Sequence, residues 1–149
     1  MPVFVNNCEI SDEEVHAEMI NHPAPDVDAA RLEAARALVV RQLLLEDAAE
    51  RELISFKDIA ALEEEQGEAV IMRLLDEVIT TPEADSETCA RFYEQHKASF
   101  LDKKTDKILA YELVEPHISQ YLEDRAYHAA FHAYLDVLMS KAKIVGLAA

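Results

Sequence analysis

DAARLEAARALVVRQLLLEDAAER, residues 28–51, decides the fold class. Its inner polar positions are confined to Arg31, Glu33, Arg36, Arg41, Gln42, Glu46 and Asp47, and alanine, leucine and valine fill nearly everything between them. At 3.6 residues per turn this leaves an apolar sector too wide for a helix that leans on a single neighbour. The stretch therefore predicts a central helix with packing on several sides. Leu38 and Leu45, a heptad apart, are both expected to be buried.

Working outward, Ser11 with Glu14 three residues on is a capping-box start for a first helix, and His22-Pro23-Ala24-Pro25 stops it, because proline disfavours helical geometry in the residue before it. The His22 imidazole at that corner is placed to hold a neighbouring carbonyl or carboxylate. Beyond the central helix, Ile59, Leu62, Val70, Leu74 and Val78 keep helical spacing up to Thr80-Thr81-Pro82, leaving open whether 55–79 is one kinked helix or two. A short helix is predicted over Ser86–Lys97 and a long closing one over Glu112–Met139, with Pro116 tolerated in its first turn. PVFV (2–5) and AKIVGL (142–147) are isolated β-prone runs, so they are expected to pair, Val3-Phe4-Val5 against Lys143-Ile144-Val145. The class is all-α with a short two-stranded pairing of the N- and C-terminal segments.

The chain has 149 residues, half of them hydrophobic, two glycines and no tryptophan, which suits a single helical domain over 1–149. Thirty acidic side chains against fourteen basic ones give a formal charge of −16, which repels phosphate backbones and anionic lipid. No nucleic-acid or membrane partner is expected. No apolar run approaches the ~20 residues of a membrane span, and MPVFVNNCEI lacks the regions of a signal peptide, so the expected location is cytoplasmic. Cys8 and Cys89 are expected to be reduced structural thiols.

The order of these signals resembles that of parvulin-type foldases of the PpiC and SurA class, with greatest similarity to the cytoplasmic nitrogen-fixation-maturation type. The phrases that carry the resemblance are "NNCEIS", "HPAP", "ARLEAARALVVRQLLLEDA", "VITTPEADSETCARFYEQHKASF" and "YLEDRAYHAAFHAYLDVLMSKAKIVG". It implies a helical bundle like the SurA N-terminal part. In that family a segment like "RFYEQHKASF" leads into an isomerase domain of about one hundred residues, and a segment like "VEPHISQYL" follows it. Here only residues 101–111 separate the two. On this reading 1–100 is the N-terminal helical part, 101–111 is a lysine-rich polar strap where the isomerase domain is absent, and 112–149 is the closing helix and strand.

The implied function is that of a non-catalytic chaperone or maturation factor holding a client polypeptide, with an apolar cleft between the central and closing helices and acidic rims that favour basic clients. The candidate client-binding residues are Phe92, Tyr93, Phe100, Tyr111, Tyr121, Tyr127 and Tyr134, although the same rings would serve in a core, the role expected for Phe92 and Phe131. The alternative is a small structural or adaptor protein acting as a homodimer, with the closing helix or terminal strands exchanged. No serine, cysteine or lysine has an evident base and there is no phosphate-binding glycine loop, so no enzyme and no cofactor are expected. Asp124, His128, His132 and Asp136 recur every four residues. That row makes His128 and His132 weak metal candidates, but no third ligand from another helix is announced and the expected outcome is no metal.

Overall fold

The computed structural model describes residues 2–147. The protein is mostly helical with small antiparallel sheets, and it divides into two compact units, one formed by residues 1–78 with 134–149 and the other by 79–133.

The first unit opens on a hairpin, β1 (Val3–Val5) against β2 (Cys8–Ile10), turned by Asn6 and Asn7 at φ of 47° and 71°. Two left-handed residues in a two-residue loop match the twist of the strands they join, and asparagine is among the few side chains that tolerate them. The helix α1 (Asp12–Glu18) follows at once, and the Ser11 hydroxyl accepts from the Glu14 amide at 3.2 Å, as the capping motif predicts. A 3-10 turn, Met19–Asn21, carries the chain to the His22-Pro23 corner, where the imidazole meets the Glu18 carboxylate at 3.0 Å.

The central helix α2 (Val27–Glu50) is capped by Asp26, whose carboxylate accepts from the Ala29 amide at 2.7 Å. It is buried on two sides, as its apolar sector requires. One side gives Ala34, Ala35, Val39 and Leu43 to a core shared with Val3, Val5, Ile10 and Val15; another gives Leu44 and Ala48 to a second core around Leu74. Leu45 is buried, but Leu38 is only partly covered, because it faces an open groove described below. The helix ends with Glu52 at φ 66°, its amide donating to Ala49 and that of Leu53 to Ala48, the two reverse bonds of a Schellman motif. The segment 55–79 is not one helix. It is a 3-10 turn, Phe56–Ala61, followed by α3 (Glu64–Val78).

The α-helices α4 (Ser86–Gln95) and α5 (Tyr111–Lys141) complete the helical set; α5 contributes its residues up to 133 to the second unit and those from Tyr134 to the first. In the second unit Asp85, rather than Ser86, caps α4 by accepting from Thr88 at 2.7 Å. The expected polar strap over 101–111 is ordered instead. β3 (Leu101–Asp102) pairs with β4 (Lys107–Ile108), and Asp102 closes the loop by accepting from the amides of Lys104 and Asp106. The α5 helix then begins at Tyr111, so Pro116 lies in its second turn, beyond the donors that need no partner. The proline there forgoes the bond to the Glu112 carbonyl, and the helix continues through it. The buried centre of this unit is Cys89, Val114 and Ile118.

The terminal runs do pair, antiparallel. Phe4 lies opposite Val145 and Val5 opposite Ile144, in β5 (Ile144–Val145). The sheet has three strands, however, in the order β2-β1-β5, not two, because CEI adds a strand that its lack of apolar alternation conceals. Asn6 fastens the join: its amide donates to the Lys143 carbonyl and its side-chain oxygen accepts from the Lys143 amide, both at 2.8 Å. Gly146 sits at φ 88°, and a Cβ there would come within 2.6 Å of the Pro2 carbonyl, so glycine is the residue this close approach requires.

Candidate functional site

The seven aromatic candidates fall into three places. Phe92, Tyr93, Phe100 and Tyr111 pack partly buried against the Cys89–Val114–Ile118 core, and Tyr121, 52% exposed, meets Phe92 at a tilt of 48° with centroids 5.5 Å apart. The polar ends of two of these rings are already engaged, Tyr93 donating to the Leu109 carbonyl at 2.7 Å and Tyr111 to that of Ser86 at 3.2 Å. Tyr127 stands apart on α5, exposed, with only a ring contact to His128. Phe131 is half-buried beside the His132 ring and joins none of the three buried clusters.

Tyr134 belongs to the first unit, where its hydroxyl donates to the Asp47 carboxylate in a short bond while Arg51 Nε donates to the same oxygen at 3.0 Å. Burial first, then the neighbouring carboxylate, raises the phenol above its ordinary value of 10.0. The raised value means the folded state holds this proton more tightly than the unfolded chain does. Its stabilising contribution is therefore complete below pH 10 and is lost as the pH climbs further. Tyr134→Phe is expected to cost about 1–2 kcal/mol near neutrality and to flatten the alkaline loss of stability, as read by urea denaturation at about pH 7 and about pH 11.

His128 and His132 are both exposed, and among the described residues no group of three His, Cys, Asp or Glu is placed to hold a metal ion. Asp124 is turned to its own helix, accepting from Gln120 at 2.8 Å.

An open groove lies in the first unit, where the sequence gives no single signal for it. A groove of about 790 Å³ runs between β2, α1, α2, the 3-10 turn and the start of α3. Its apolar lining is Leu38, Leu45, Phe56, Ile59 and Leu62, with the Phe56 ring 55% exposed. Its acidic lining is Glu9, Glu14, Glu18, Glu46 and Glu64. By contrast, on the side of α2 toward the end of α5, Leu135 and Leu138 pack against the cluster of Leu44, Ala48 and Leu74.

Cys8 sits at the groove's edge, and its thiol is raised above its ordinary value of 9.0 by burial first, then by Glu46 and Glu14. That direction favours the protonated thiol, the opposite of what a nucleophile needs. Buried Cys89 is raised likewise, chiefly by burial. No protein-family model, curated protein or solved structure matches the chain. Among the described residues no helix is long and apolar enough to cross a membrane.

Proposed function

We propose that the protein is a non-catalytic chaperone or maturation factor that holds a client polypeptide, related to parvulin foldases but without their isomerase domain. The observation that carries the reading is the groove of the first unit: an apolar floor left open beside α2 with no activated nucleophile in it. A surface that keeps leucine, isoleucine and phenylalanine side chains accessible in a concave site has the properties of a polypeptide-binding site. The resemblance supplies the second support, because residues 101–111 hold a hairpin and the first residue of α5 and offer no space for a further domain.

The reading predicts that a chemically unfolded client, diluted into buffer with an equimolar amount of this protein, aggregates more slowly than alone. A proline-limited refolding reaction run alongside is expected to proceed at its uncatalysed rate. Acceleration that persists through rigorous purification would overturn the non-catalytic part. Unchanged aggregation of every client, together with a stable dimer in sedimentation, would favour the homodimeric adaptor instead.

A further inference from the structure

We infer that the groove bounded by β2, α1, α2 and the 3-10 turn takes a cationic amphipathic segment, a short stretch of polypeptide whose apolar side chains are flanked by lysine or arginine. The inference rests on the client-binding reading and narrows it to one place and one chemistry.

The argument is one of complementarity. Leu38 and Leu62, both only partly buried, offer aliphatic surface, and the exposed Phe56 ring stands at the same site. A volume of about 790 Å³ accommodates several side chains of one segment and is far too small for a folded domain.

The charges are distributed unevenly. Among the described residues Glu9, Glu14, Glu46 and Glu64 form no salt bridge, and the one that Glu18 forms is to His22, with Asn21 also donating to its carboxylate. The one cation in the lining, Arg41, pairs with none of them. Its guanidinium lies against α3 where Gly67 has no side chain, since a Cβ on that glycine would come within 2.1 Å of Nη2. The groove thus presents several carboxylates that no neighbouring lysine or arginine neutralises, around an apolar floor. Such a field attracts basic side chains over a distance set by the ionic strength and rejects acidic ones.

An amphipathic leucine–lysine peptide of about eighteen residues, carrying a fluorophore, tests this by anisotropy against the full-length protein. Its counterparts are a leucine–glutamate peptide and a lysine peptide without leucine. The leucine–lysine peptide is expected to bind at least about tenfold more tightly than either, and more weakly as salt rises. Phe56→Ser and the triple variant Glu9→Gln, Glu14→Gln, Glu64→Gln change exposed side chains, and circular dichroism verifies their fold. Each is expected to weaken binding about tenfold, and the triple variant also to lose most of the salt dependence. Leu113→Ser, an exposed position in the other unit, is expected to leave binding unchanged.

Equal binding of the three peptides, or undiminished binding by both groove variants, would overturn the inference. The client assay separates its failure from that of the broader reading. Aggregation still delayed by both groove variants would leave a client-holding protein that uses another surface; specific peptide binding with no effect on any client would keep the groove and remove the chaperone.

Discussion

Leu74→Ala is expected to destabilise the first unit by about 2–5 kcal/mol, toward the upper end of the range for a buried leucine. Leu74 is fully buried, and its immediate buried neighbours are Leu44 and Ala48. Ala48 has no side chain long enough to swing into the space that truncation leaves, and Leu44 is itself buried in the packed core. The cavity should therefore persist, and its cost adds to the lost transfer free energy. Leu38→Ala is the internal comparison: half-covered at the groove, it is expected to lose well under the Leu74 value. Urea denaturation followed by circular dichroism measures both. A loss below about 1 kcal/mol at Leu74 would mean that α3 does not pack on α2 as described.

The contrast between these two leucines marks how far the sequence could be read. The apolar sector of residues 28–51 correctly announces a helix with several neighbours, but periodicity cannot say which of its apolar positions faces a filled core and which an open groove. The same limit appears at the ends of elements. Ser11 was legible because its hydroxyl and spacing admit one local answer. Asp26 and Asp85 cap their helices one or two residues away from the expected starts, in runs where several side chains could do so. The end of α2 falls where the stretch 28–51 places it, although a glutamate at 52 holds the left-handed position that glycine usually marks. In the hairpin of 101–108, two aspartates rather than a glycine pair supply the turn.

The candidate site was the least legible part, for a geometric reason. The groove draws a few residues each from five segments between Cys8 and Glu64, so no window of sequence contains a pattern that belongs to it. The aromatic candidates show the converse. Phe92, Tyr93, Phe100, Tyr111 and Tyr121 do meet, because α4 and the start of α5 share one small core. A helix rises about 1.5 Å per residue, however, so Tyr127 lies roughly 24 Å along the axis from Tyr111. Nearness in sequence could not bring it into the group.

Deleting residues 2–6 is expected to have the largest effect of all, because β1 is the middle strand of its sheet. Val3 and Val5 are 3% and 0% exposed, and the full burial of each such side chain stabilises by about 1.5–3 kcal/mol. The deletion also removes both ladders, to β2 and to β5, and the paired bonds from Asn6 to Lys143. Together these amount to about 5 kcal/mol or more, comparable with the whole stability of an ordinary domain. The first unit should then lose its cooperative melting transition, and the Ile144 amide should exchange as it does in a free peptide. Asn6→Ala separates fastening from burial: it removes the side-chain bonds to Lys143 and Glu46 and puts an alanine at the left-handed position, so about 1–3 kcal/mol is expected. If the truncated chain melts within a few degrees of the intact one and Ile144 stays protected, β5 is held by something other than β1, and the closure of the first unit by its two terminal segments is mistaken.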